Sequence, residues 1–251
     1  MHQKAKEPEN VAYETLKEIT VEKYQDRIPS IFGENVENVI TQIDTQDKKI
    51  ALTFDACIGV PNAYDAELIE FLIEEEIPAT LFIGGEWIEF YEEEFMDLAS
   101  NSLFEIANHG YDHKPLSVNG QSAYGIAGTE NAEEVFDEIY YNQKLISDLT
   151  GEAPQYFRSG TAFYDEVAVE MANELGLDVV NYNKLGDAGA TFTKNQIVAN
   201  LLEARPGDLY LFHMNHPESD IATGVKEGVL ELKAQGFQFV QLQEMDEQLR
   251  E

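Results

Sequence analysis

From about residue 48 the chain alternates short apolar runs with longer amphipathic segments, and this alternation restricts its fold more than any other feature. The runs Lys49–Thr53, Ala79–Ile83, Phe104–Asn108, Gln155–Arg158, Val179–Tyr182, Leu209–Phe212 and Gln238–Val240 read as strands buried on both faces. Between them the spacing predicts helices over Ala66–Glu76, Glu86–Ser100, Glu130–Thr150, Glu166–Leu175, Lys194–Ala204 and Gly224–Gln235. Their apolar positions recur with acids between, as at Val135, Ile139, Leu145 and Leu149. Gly176 and Gly236 follow two helix ends, where a left-handed cap is wanted. Such βα repeats with short connections build either a parallel barrel or a doubly wound sheet. In both, ligand chemistry gathers at the carboxyl ends of the strands.

A length of 251 residues suits one α/β barrel, and a hydrophobic share of 43% can fill its core. Residues 1–47 read as a partly flexible N-terminal extension and 48–251 as the catalytic domain. Within the extension, Met1–Pro8 is polar, a helix is expected near Val11–Lys23, and a peripheral strand near Asn38–Ile43. With 16 basic against 48 acidic residues the net charge is −32, which repels phosphate backbones and anionic lipid. Nucleic-acid and membrane-surface partners are therefore not expected. No run approaches the roughly 20 apolar residues of a membrane span, and the N-terminus shows no signal-peptide stretch. Cys57 is the only cysteine, so neither an internal disulfide nor a cysteine-based zinc cluster is available. Nothing in the sequence specifies an oligomeric state.

Apart from His2, the histidines fall in two motifs, Asn108-His109-Gly110-Tyr111-Asp112-His113 and Leu211-Phe212-His213-Met214-Asn215-His216. Asp55, His109, Arg158 and His213 all stand at or just past predicted strand ends, which groups them into one reaction centre. His109 and His113, four residues apart, can aim both imidazoles at one point. Two histidines plus a carboxylate with open positions make a common catalytic metal site. Asp55 suits a general base that takes a proton from water, and His213 an acid on the far side. Arg158 can orient Asp55 through a bidentate contact, and the amides of Ser159-Gly160-Thr161 can stabilise an oxyanion. Two loops, Lys114–Thr129 and Gly186–Thr193, are expected over the same mouth. Tyr111, Tyr124, Thr161 and Asp187 are the candidate substrate-facing residues, the two tyrosines either stacking on a sugar ring or packing the loop.

These motifs resemble the polysaccharide deacetylases of the NodB-homology group, carbohydrate esterase family 4, from about Lys49 to Leu242. Thr53-Phe54-Asp55 resembles the start of the family's first motif, Thr-Phe-Asp-Asp, whose first acid is the general base. His109 and His113 match its His-x-x-x-His metal motif, Phe157-Arg158 opens the third motif, and Leu211-Phe212-His213 matches the last. The resemblance implies a distorted (β/α)₇ barrel and metal-dependent hydrolysis of acetyl groups from a saccharide, with a divalent ion such as zinc, cobalt or nickel. It also implies an extracytoplasmic or cell-envelope setting.

Several positions depart from the family pattern. Ala56 stands where the second acid, a metal ligand, is expected, so water, Asp55 or Cys57 must fill the gap. The third motif reads Arg158-Ser159-Gly160-Thr161, and Tyr164 comes too late to be its usual tyrosine. Asp187 stands in the fourth motif without its tryptophan, and Asn215-His216 extends the last. A divergent branch is implied. Two other readings stay open: a hydrolase of a non-peptide C–N bond in a small amide, imide or ureide, and a non-catalytic carbohydrate-binding relative. Retention of Asp55, Arg158 and His213 argues against the second.

Overall fold

The computed structural model describes residues 8–250. Among them nine strands form one parallel sheet. Across it run Lys184–Leu185, Leu209–His213, Lys49–Ala56, Ala79–Ile83, Phe104–Asn108, Tyr156–Phe157, Asp178–Val180 and Val39–Ile40, with Gln238–Phe239 pairing Lys49–Ile50. The sheet curls into the half-barrel of the NodB type, as the resemblance implies. Its two edges, Val39–Ile40 and Lys184–Leu185, do not pair with each other. The chain crosses this seam at Asn181–Asn183, where the Asn181 amide bonds Ile40 and the Asn183 amide bonds Leu209.

Alternation along Lys49–Ala56 divides the core. Ile50, Leu52, Phe54 and Ala56 pack outward under the helices with Leu68, Leu72 and Val229. Ala51 faces the barrel interior with Phe82, Ala107, Tyr156, Val180 and Leu209. The 3₁₀ segment Leu242–Gln248 plugs the amino ends of the strands, its Leu242 amide bonding Thr80 Oγ1 and Glu105. The carboxyl ends are left for a cavity.

The helices start where side chains satisfy free amides: Asp65 accepts from Leu68, Asn131 from Glu134 and Asp165 from Ala168. Gly176 and Gly236 take the expected left-handed conformation, with φ of +84° and +85°. The single helix expected over Glu86–Ser100 is two, Gly85–Phe90 and Glu92–Ser100. The break falls at Tyr91, whose hydroxyl donates to the Val60 carbonyl and accepts from the Ala63 amide, each at 2.8 Å. The first strand runs on to Ala56, so Asp55 lies within it.

The described part of residues 1–47 is built into the barrel rather than appended to it. Helix Pro8–Tyr24 packs on helix Ala132–Thr150, with Tyr13 and Lys17 both bonding Asp137. Val39–Ile40 pairs Val179–Val180, and Gln42–Ile43 pairs Leu249–Arg250. The polar stretch Met1–Pro8, and with it any flexibility expected there, lies outside the described residues except at Pro8, which opens the helix. Among the described residues no helix is long and apolar enough to cross a membrane.

Candidate active site

Parallel pairing brings the site residues side by side. Asp55 and His213 are register partners on neighbouring strands, and Ile83 pairs with Asn108, just before His109. Asn108 in turn pairs with Phe157, just before Arg158. Asp55, His113, Thr161 and His213 all line one cavity of about 1040 Å³ at the carboxyl ends.

Arg158 is fully buried and holds Asp55 with one contact, Nη1 to Oδ1 at 2.7 Å. The bidentate contact expected from sequence is not made, because the rest of the fork is spent elsewhere. Nη1 also bonds Thr53 Oγ1, Nε bonds the Val180 carbonyl and Nη2 the Asn181 carbonyl. The guanidinium carbon lies 4.0 Å from the Phe82 ring centroid. Burial alone would raise the Asp55 carboxyl, but Arg158, with His109 and His213, outweighs it and holds Asp55 below the usual carboxylate range.

His213 receives the matching treatment. Its Nδ1 lies 3.0 Å and 3.1 Å from the two Asp187 oxygens, and its backbone amide donates to Asp187 Oδ2 at 2.7 Å. Burial disfavours charge on this imidazole, yet the Asp187 hydrogen bond and the neighbouring Cys57 raise it well above its ordinary value. Asp187, expected to face substrate, is fully buried and bound to His213 instead.

The histidine pair sits on a loop shaped by a residue the sequence reading missed. His109 and His113 rings meet edge to face, centroids 5.2 Å apart. His109 Nδ1 lies 3.0 Å from the Arg158 carbonyl, which leaves its Nε2 as the inward nitrogen. His113 adopts φ +58°, and its Nε2 is buried with no partner. Glu138, 4% exposed on helix Ala132–Thr150, accepts from the Asp112 and Lys114 amides and so clamps the backbone on both sides of His113. Gly110, at φ +78°, is required here: a Cβ would lie 2.3 Å from Glu138 Oε1. Burial pushes the Glu138 carboxyl up to about 7. The signal was an acid on the apolar face with Val135, Ile139 and Asn142, at helical spacing.

Cys57 also stands at the site. Its Sγ lies 3.8 Å from His109 Nε2, and the thiol is 8% exposed. Burial raises a thiol, but the His113, His109 and His213 imidazoles lower this one well below its ordinary value. One potential ligand atom from each of Cys57, His109 and His113 falls in a group within 4.8 Å of one another. The period of two along Lys49–Ala56 is the signal: it sets Thr53 and Asp55 on one face and Ala56 on the other, and Cys57, just past the strand's end, continues the first face.

The remaining candidates separate. The Ser159 amide donates to Tyr164 Oη, so it is not free for an oxyanion, whereas the Gly160 and Thr161 amides have no partner among the described residues. Tyr164 itself is buried between Ser159 and Asn181 and props the Arg158 loop. Thr161 Oγ1 and Asn215 Oδ1 are buried and unpartnered, and both residues line the cavity. Tyr124, 75% exposed, lies on the cavity rim with its ring edge-on to Phe163. Tyr111, expected at the mouth, lies against Gly85 and bonds Glu89, outside the cavity lining.

A family model described as polysaccharide deacetylase matches residues 42–180. The chain is similar to the peptidoglycan-N-acetylglucosamine deacetylase PgdA of Listeria monocytogenes, 25% identical over 205 residues that cover 79% of this chain and 39% of that protein. It is 26% identical over 203 residues to a chitin deacetylase of Pestalotiopsis sp, covering 77% of this chain and 62% of that protein. The chain thus spans about two fifths of the length of PgdA. Among solved structures, the family 4 carbohydrate esterase PdaA of Bacillus subtilis superposes with a TM-score of 0.69 at 20% identity, covering 91% of this chain and 88% of that one. A family 4 pseudoenzyme of Bacillus anthracis gives 0.69 at 18% identity, covering 91% and 80%. At such identities the likeness is one of fold.

Proposed function

Because the chain belongs to the polysaccharide deacetylase family, we propose that it is a metal-dependent hydrolase that removes acetyl groups from a saccharide. One observation supports this most. Two opposed carboxylate–cation pairs, Asp55 with Arg158 and His213 with Asp187, stand on neighbouring strands at one cavity beside an orphaned buried imidazole nitrogen. That nitrogen, His113 Nε2, and the inward Nε2 of His109 fit a metal; these two residues would hold a divalent ion, zinc, cobalt or nickel. Such an ion, when bound, supplies Lewis acidity to an acyl carbonyl and acidifies water.

The protein's own groups divide the proton chemistry. Asp55 Oδ1 is held by Arg158, so Oδ2 is the oxygen that takes the proton from the attacking water. Asp187 fixes Nδ1 of His213, which leaves the Nε2 proton for the departing group. The Asp187 carboxylate raises the affinity of His213 for its proton, which suits it to the acid role. The Gly160 and Thr161 amides stabilise the developing oxyanion. Tyr124, Tyr182, Ile126 and Leu185 give the mouth an apolar face for a sugar ring. A cavity of about 1040 Å³ suits a saccharide better than a small cyclic amide.

The test is acetate release from a panel of acetylated saccharides, with and without chelator. Chelator-sensitive release is expected, and Asp55→Asn should lower kcat by about 10² or more with KM little changed. Undiminished turnover by Asp55→Asn would reject the mechanism. No turnover of any substrate would put the non-catalytic binding reading ahead.

A further inference from the structure

We propose that Cys57 is a ligand of the metal site, its thiolate completing a Cys57–His109–His113 triad; this rests on the metal-dependent reading above. Cys57 and the two imidazoles converge within 4.8 Å. The distance from Sγ to His109 Nε2 is 3.8 Å. On one tetrahedral zinc, bonds of about 2.3 Å to sulfur and about 2.05 Å to nitrogen place the two ligand atoms about 3.6 Å apart. The separation in the protein is already close to that edge.

The other two members are oriented for the same point. His109 is fixed through Nδ1 on the Arg158 carbonyl, so its Nε2 lone pair faces the thiol. His113 Nε2 is buried without a partner, which is costly unless something occupies the space before it. Ala56 has no donor atom and packs among the outward core residues with Phe54 and Trp87. Asp55 remains free to act as base: Oδ1 is taken by Arg158, and Oδ2 stands 3.7 Å from His109 Nε2. Cys57 and His113 both line the cavity, so the triad is open on the side where water and substrate enter, as in catalytic zinc sites with three protein ligands. A thiolate beside two imidazoles selects zinc or cobalt over magnesium, calcium or manganese.

The chain has one cysteine, so thiol chemistry reports this residue alone. The full chain, stripped by chelator, is alkylated with iodoacetamide before and after reloading with zinc, and its zinc content is measured. Stoichiometric zinc should slow alkylation at least about tenfold, because coordination removes the reactive thiolate. Cobalt-loaded protein should show a sulfur-to-cobalt charge-transfer band that is absent from Cys57→Ser and Cys57→Asp. Stoichiometric zinc with alkylation unchanged and no cobalt band would overturn the proposal and leave the metal-dependent reading standing. Failure to bind zinc or cobalt at all would overturn both. Alkylation and the cobalt band are read on the unaltered chain, so misfolding of a variant cannot decide the result.

Discussion

Replacing Arg158 by methionine tests whether the base is held by a buried ion pair or merely packed. Methionine keeps much of the aliphatic volume, so the loss is electrostatic. Asp55, 3% exposed, would lose the guanidinium that hydrogen-bonds it, and the carbonyls of Val180 and Asn181 would lose their donors. An uncompensated buried charge costs about 3–5 kcal/mol, and each orphaned carbonyl about 1–3 kcal/mol. Because the three share one space and do not add, the expected loss is about 5 kcal/mol, a large part of the roughly 5–15 kcal/mol that holds a domain together. Urea unfolding in chelator, followed by the fully buried Trp87, measures it. Adding Asp55→Asn should recover about 2 kcal/mol or more, since the stranded charge then disappears. The pH dependence has a definite sign. In the native chain the lowered Asp55 carboxyl contributes stability above the ordinary carboxylate range and loses it as pH falls through the folded value. In Arg158→Met the strongest of the groups that lower this carboxyl is gone and burial outweighs His109 and His213, so the carboxyl rises and stability is lost as pH rises through that new value. The gap between the two proteins should therefore narrow from about pH 7 to about pH 5. A loss under about 1 kcal/mol, or a double variant no more stable than Arg158→Met, would refute the reasoning.

Asp187→Asn removes the group that most raises the His213 imidazole, so the alkaline limb of the kcat/KM profile should move to lower pH and kcat should fall by about 10². An unmoved limb would mean that His213 is not the acid. Glu138, raised to about 7 from 4.5, penalises the folded state as pH rises through the folded value, while below the ordinary glutamate range the penalty is absent. Glu138→Gln should flatten the stability loss between about pH 5 and about pH 8, a difference on the order of 3 kcal/mol in urea melts. Tyr124→Ala should raise KM with little change in Tm, whereas Tyr111→Ala should lower Tm with KM preserved, because only the first ring lines the cavity.

Much of the fold was legible because its signals are local. Seven apolar runs and six amphipathic segments all became strands and helices, and the glycines past helix ends took left-handed conformations. What was not legible depends on distant partners. Tyr91 breaks a helix because its hydroxyl reaches Val60 and Ala63 on another loop. Lys184–Leu185 is two residues long, too short to show a period, and exists as a strand only because Leu209–His213 offers it an edge. In the site, the strand-end residues Asp55, His109, Arg158 and His213 come together as expected. Their supports did not show, since the Asp187–His213 bond spans 26 residues and nothing in either segment announces it.

The thiol at position 57 shows how a ligand can be mislocated by matching positions instead of directions. Compared one by one with the Thr-Phe-Asp-Asp pattern, Ala56 looks like a deleted ligand. Compared by direction, the donor has moved along the strand. The alternation that turns Leu52, Phe54 and Ala56 into the helix layer turns Thr53 and Asp55 toward Arg158. It carries Cys57, the next residue on that face, toward His109. Exchanging a hard oxygen donor for a soft sulfur donor at a fixed histidine pair alters which ion is preferred. It leaves the proton chemistry alone, because Asp55 still has Arg158 and His213 still has Asp187. On this proposal the preferred ion would change while Asp55 and His213 keep the partners that prepare them for proton transfer.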